Sequence, residues 1–378
     1  MQATIKKPIN WGPVIFLTTY QTLLLLLLPF YLYFDTPTLA VVVTTVFLIY
    51  ATGMSITGGY HRYYAHRSYR TNKIVEFFLL FLGSMTAQGS ALRWAFDHRL
   101  HHANVDTEDD PYSIKKGFWY AHCLWIIEKP RTIDPKVVSD LLKNPLVAFQ
   151  HRYYKLCMLA SNAISTLFFG YIFNDYLAAF VMTLWVRLFV LHHFTWFINS
   201  LAHTWGDKPF CKELSAVDNY CLSMLTFGEG YHNYHHTFAN DYRNGIRWFH
   251  FDPTKWMIWT LSKLGLASGL KKTDPTVIEK RIVLESKNHL LNHINEICHA
   301  KKNELEILIQ ETSERIVAKI GEFNALKAKY LASKNSENGH TIIKELKKEL
   351  KEIKRSLRSD WKQWMSIVDS VTRASKPA

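Results

Sequence analysis

Nine of the eighteen histidines in this 378-residue chain fall into four short clusters. The clusters read HRYYAH (His61, His66), HRLHH (His98, His101, His102), NSLAH (Asn199, His203) and HNYHH (His232, His235, His236). Imidazole is a common metal ligand, and a transition metal takes about four to six ligands. Nine imidazoles exceed what one ion can use, which predicts two metals side by side. The HxxHH pattern occurs twice and puts three imidazoles on one face of a helix, at i, i+3 and i+4. His61 and His66 are five apart, about 140° around an ideal α-helix, so the helix is expected to end or distort between them. Asn199 precedes His203 by four residues. It suits a metal ligand, direct or through a water, and equally a cap or a buried hydrogen-bonding group. His192 and His193 stay outside the metal set.

Ligand type alone admits zinc, iron, copper or nickel. Zinc hydrolases keep three protein ligands and an open water position, far fewer than are present here. A dinuclear, histidine-rich centre fits oxygen activation better, because two irons can share the electrons that O2 reduction needs. Iron held by neutral nitrogens stays Lewis acidic and can reach the oxidation level that attacks an unactivated C–H bond. The clusters adjoin apolar stretches, so the expected substrate is a long alkyl chain from a bilayer.

Four stretches are long and apolar enough to cross a bilayer, which takes about 20 residues. They run from Pro13 to Tyr33, Thr38 to Gly58, Lys155 to Phe173 and Tyr176 to Leu201. Their short connectors lack Lys and Arg, whereas Lys6, Lys7, Arg62, Arg67, Arg70 and Lys73 lie at the other ends. The positive-inside rule then predicts two hairpins with both termini and all the clusters in the cytoplasm. The expected fold is all-α: an integral membrane protein with a cytoplasmic helical catalytic domain, in a bacterial inner membrane or the endoplasmic reticulum. A fifth run, Ile74 to Leu92, must not cross, or His61 and His66 would be parted from His98, His101 and His102. It is expected as a cytoplasmic or interfacial helix buried against the site.

Composition narrows the alternatives. The net charge of +13 raises nucleic acid as a partner, but the basic residues flank hydrophobic segments and no nucleic-acid motif occurs, so none is expected. Five cysteines without a CxxC fit a reducing compartment. No small-residue cleavage site follows the first apolar run, which reads as an anchor. The aromatic stretch with Trp248, Phe249, Phe251, Trp256 and Trp259 is expected at the membrane interface. Two regions are predicted: residues 1–270, carrying the histidines, and a basic Lys/Glu-rich helical extension, residues 271–378. A break is expected at Ser333 to His340, and His289, His293 and His299 read as structural.

HRYYAH, HRLHH and GEGYHNYHH, in this order and with this hydropathy, resemble the membrane fatty acyl desaturases of the stearoyl-CoA Δ9 type. The resemblance runs from about Asn10 to His236 and leaves the tail uncovered. It implies insertion of a cis double bond into a saturated long acyl chain, favouring acyl-CoA, with O2, two electrons and two Fe ions. NSLAHTWG resembles the element that supplies that family's ninth histidine and an asparagine bound through water, here His203 and Asn199. DHRLHH followed by DTEDDPYS also matches. The resemblance further implies that Gln88, Trp94 and Trp196 line the bent acyl tunnel, and that Asp97, Trp94, Asn10 and Lys129 face the head group. An expected asparagine is Gly89 here, an expected arginine is Phe96, and a basic pair is reduced to Glu128 and Lys129. These departures predict weaker phosphate contacts, with an acyl-lipid as the alternative donor. No HPGG-type haem motif occurs, so electrons are expected from a separate donor of the cytochrome b5, ferredoxin or rubredoxin type. The competing readings are a di-iron fatty acid or lipid hydroxylase and, outside enzymes, a metal transporter.

Overall fold

The computed structural model describes residues 8–297, 302–334 and 340–374. It divides into two compact units, Met1–Lys208 with Glu213–Lys272, and Pro209–Lys212 with Thr273–Ala378. Of the tail features, His299 and most of the expected break at Ser333 to His340 lie outside the described residues.

The first unit is built on four helices of membrane length. Helix α1 (Trp11–Phe34) and helix α2 (Leu39–Met54) form one hairpin. The second pairs α5 (Tyr154–Phe173) with a rod from Tyr176 to His203 that includes α6 (Arg187–Asn199). Only 11% of the apolar window is buried in α1 and α5, against 44% in the other two, so α2 and α6 are the inner pair. The chain is a membrane protein.

Helix α2 does not stop at the expected boundary near Gly58. It continues as a π-helix from Ser55 to Ala65, almost wholly buried. Glycine permits this close packing: a Cβ at Gly59 would meet Leu79, and one at Gly83 would meet the Tyr60 ring. The partner surface is α3 (Lys73–Ser84), whose first turn is capped by Asn72. At 12 residues, α3 extends about 18 Å, too short for a bilayer core of about 30 Å. It buries Glu76, Leu79 and Leu80 and turns Ile74, Phe77 and Phe78 outward, as an interfacial helix would. Ala87 and Gly89 then take left-handed backbone, reversing the chain into α4 (Ala91–Asn104), which Ser90 caps. The run Ile74 to Leu92 is therefore a broken hairpin, not a fifth spanning helix.

The further helices of this unit include α7 (His232–Thr237) and α8 (Pro253–Lys263). Trp248 is 88% exposed, and Phe249, Trp256 and Trp259 also face outward, while Phe251 is half-buried. A two-residue antiparallel pair, Arg70–Thr71 with Ala267–Ser268, is the only sheet among the described residues.

The second unit contains three helices, α9 (Pro275–Ile297), α10 (Lys302–Ser333) and α11 (His340–Ala374). Val283, Leu290, Ile309, Ile316, Ile320 and Trp364 form its core. Arg315 and Lys319 of α10 both bind Asp360 of α11 across that core's edge.

Candidate metal centre

The π-helix resolves the awkward spacing of the first cluster. Its hydrogen bonds run from N–H(i) to C=O(i−5), so residues five apart stack on one face. His66 N–H donates to the His61 carbonyl at 3.0 Å, and both imidazoles turn the same way. Each HxxHH helix then divides its three histidines between two groups. His98 and His102 of α4 join His61, His66 and His235; His232 and His236 of α7 join His101 and His203. Within each group the ligand atoms lie within 4.8 Å of one another. The expected single face of three imidazoles is thus a seam, with α4 giving two and one, and α7 one and two. The groups are adjacent, since His102 and His236 stack with ring centroids 4.3 Å apart.

The nitrogens converge closely. Nε2 of His61 lies 3.0 Å from that of His235, His66 is 2.9 Å from His98, and His235 is 2.9 Å from His102. In the second group His236 is 3.3 Å from His101 and 3.1 Å from His232. Burial, then the neighbouring imidazoles, hold His66, His98, His102, His232, His235 and His236 well below the ordinary histidine value. They are therefore neutral, which is the form that ligates metal. Nε2 of His203 is buried with no hydrogen-bond partner. A buried orphan costs about 1–3 kcal/mol, and a metal would supply its missing partner. The donor set fits two ions.

Three of the opposite ring nitrogens, those of His98, His101 and His203, are held in place, as those of metal ligands usually are. His101 Nδ1 donates to Asp110 Oδ1 at 2.9 Å, and His98 Nδ1 lies 3.1 Å from the Tyr112 hydroxyl. His203 Nδ1 is 2.6 Å from Ser215 Oγ, and Ser215 N–H donates to Asp106. His61 Nδ1 lies 3.2 Å from Glu229, at ion-pair distance rather than in a well-aligned hydrogen bond. Burial alone would raise the Glu229 carboxyl, but His61 and Arg62 hold it below the usual range. Sequence reasoning gave none of these five partners a role. Asp110 and Tyr112 sit in DTEDDPYS, where their spacing from the histidines was the available signal.

One cavity of about 750 Å3 meets the centre, lined by His61, His98, His101 and His232. All seven remaining candidates, Asn10, Gln88, Trp94, Asp97, Lys129, Trp196 and Asn199, also line it. Gln88 donates to Thr195 at 3.1 Å, and Trp94 stacks on His98. Phe96 corrects the sequence reading: it is buried in a core cluster with Leu92 and Ala95 and does not line the cavity. The positive charge at the mouth comes from residues the sequence did not flag, Arg93 and Arg131, beside Lys129 and Lys155. Arg93 forms a two-pronged bond with Asp97, at 2.7 and 2.8 Å, and donates to the Arg131 carbonyl. His192 is occupied on both ring nitrogens, by Tyr20 and the Thr86 carbonyl. Arg187 is tied to the carbonyls of Thr183 and Met85 and to Asn162 rather than lining a transit path. His289 lies on α9, in neither histidine group.

Four membrane-length helices, with two buried histidine groups opening on one cavity, define a membrane protein able to hold metal. The fatty acid desaturase family matches residues 37–267, and the chain belongs to that family. It is 41% identical to a probable acyl-CoA desaturase of Schizosaccharomyces pombe, over 68% of this chain and 54% of that protein. It is 40% identical to acyl-CoA desaturase 1 of Saccharomyces cerevisiae, over 65% of this chain and 49% of that protein. An sn-2 palmitoyl-lipid 9-desaturase of Nostoc is 33% identical, over 71% of this chain and 92% of that protein. The chain thus matches about half the length of the two yeast relatives.

Proposed function

We propose that this chain is an O2-dependent fatty acyl desaturase that inserts a cis Δ9 double bond into a saturated long acyl chain, with CoA as the favoured carrier. The observation that carries this reading is one cavity with a charged mouth and two buried histidine groups on its wall. Two irons bound there would supply O2 reduction with two external electrons and removal of hydrogen from adjacent methylenes. The nine histidines hold the metals, and Asn199 reaches them through a water. Trp94, braced on His98, and Trp196 bend the acyl path, while Gln88, held by Thr195, fixes the bend. Arg93, Lys129 and Arg131 meet the phosphates, while Asn10 donates to or accepts from the nucleotide's polar edges and Asp97 accepts from them.

Residues 1–270 carry the reaction, and 271–378 form an extension. Both termini and the centre face the cytoplasm, where a separate cytochrome b5, ferredoxin or rubredoxin type protein delivers the electrons. An acyl-lipid is the second reading of the carrier, favoured by the near-complete match to the Nostoc lipid desaturase. The test is acyl analysis of a desaturase-deficient host expressing the chain or its His232→Ala variant. New cis-Δ9 chains with the wild type alone support the proposal; hydroxylated chains would show a hydroxylase. Feeding membranes with labelled acyl-CoA and labelled phospholipid separates the two carriers.

A further inference from the structure

We propose that the outward face of α11 is a docking surface for an anionic phospholipid bilayer. The inference rests on the four membrane-length helices, not on the reaction assigned above. Its core stripe, Leu346, Asp360, Trp364, Ile367 and Val371, packs inward. On the opposite side Lys344, Lys348, Lys351, Arg355, Arg358 and Lys362 follow one another at alternating intervals of four and three residues. That spacing keeps all six in one file along the helix, about 27 Å long. All six are exposed, and among the described residues none is ion-paired. The acids Glu345, Glu349 and Glu352 form their own file to one side, so they do not interrupt the basic one.

The shape of this charge selects the occupant. A protein partner is usually gripped by buried aromatic or aliphatic anchors at the centre of the contact. The basic file contains none; the exposed Ile342 and Met365 lie at or beyond its ends. A straight row of long, flexible cations suits a flat anionic surface, to which each adds roughly fivefold in partition. The bundle is continuous with a chain that carries four spans, so a bilayer is present at high local concentration. Docking then depends on anionic lipid and weakens with salt, because exposed charges are screened.

The test uses the full chain in nanodiscs of neutral phosphatidylcholine, or of phosphatidylcholine with one third phosphatidylglycerol. Acetylation of individual lysines is followed by mass spectrometry, with exposed Lys329 of α10 as the internal reference. Lys344, Lys348, Lys351 and Lys362 are expected to react at least about fivefold more slowly in anionic discs. Half-molar salt should abolish the protection, and the double variant Arg355→Gln, Arg358→Gln should reduce it without altering Lys329. Equal rates in both discs would overturn the proposal. So would protection in neutral discs that appears only on adding an RNA homopolymer or an acidic protein. A chain without desaturase activity but with this protection would sink only the function assigned above.

Discussion

At the scale of single residues, every one of the nine histidines converges on a group, and His98, His101 and His203 are also held by a partner on the other ring nitrogen. Changing His203 to Ala removes one of four ligands in the smaller group, so metal analysis of purified protein should fall from two ions per chain towards one. Retention of two ions and full activity in that variant would refute the two-group assignment. Asp110→Asn keeps the shape but loses the carboxylate that orients His101, and should weaken metal binding about ten- to a hundredfold; chelator competition reads this directly. At the mouth, Arg93→Ala should weaken acyl-CoA binding by about tenfold or more, the worth of a charge-assisted bond. Restoring the missing family arginine by Phe96→Arg should not help. It would bury a guanidinium in the core beneath Arg93, which packs 5.3 Å from the Phe96 ring, at a cost of about 3–5 kcal/mol. A tighter acyl-CoA complex of unchanged stability would contradict this placement.

Among elements, the π-helix is the part on which the site depends most, and α3 and α4 hold it. Gly83→Ala would drive a Cβ to 2.5 Å from the Tyr60 ring, which is itself fixed by Gln150. Overpacking of this kind costs about 1–3 kcal/mol, and a variant with unchanged melting temperature would show that α3 yields freely. Asp140 ties the other side: it accepts two bonds from Arg99, at 2.8 and 2.9 Å, and one from Arg67. Arg99 also donates to the Tyr64 and Ala65 carbonyls at the end of the π-helix. Burial would raise the Asp140 carboxyl, but Arg99 and Arg67 hold it below the usual range. A lowered folded value means the stabilisation is full above an unfolded carboxylate near pH 4 and is lost as pH falls through the folded value. Asp140→Asn should cost about 1 kcal/mol at pH 7, after allowance for solvent screening, and that difference should close on acidification. A gap that persists at pH 2 would point to packing instead.

For the whole molecule, the decisive expectation concerns sidedness. If α3 lies in the interface and does not cross, cysteines placed near Lys73 and near Arg93 should be labelled from the same side of sealed vesicles. Labelling from opposite sides would separate the first two histidine clusters and dissolve the shared centre. The short length of α3 and the left-handed turn at Ala87 and Gly89 are the structural reasons to expect one side.

The sequence by itself singled out the nine histidines that the structure gathers into two groups, and the four spans, because both are written in local terms: residue type, spacing and runs of apolar side chains. Through resemblance it also named Gln88, Trp94 and Trp196, which line the cavity that meets the histidines. Tertiary structure decided what depends on contacts between distant segments. The split of each HxxHH helix between two groups follows from how α4 and α7 face one another, which spacing within either helix does not reveal. The five-residue interval in HRYYAH looked out of phase because an α-helix was assumed; tight glycine packing against α3 allows the π-helix that brings it into phase. Asp110, Tyr112, Ser215 and Glu229 gained roles only when folding carried them to the back of the rings. The mouth shows the same division: resemblance to a family marks Phe96 as a missing charge, yet helix rotation buries that position and turns Arg93, three residues earlier, into the cavity.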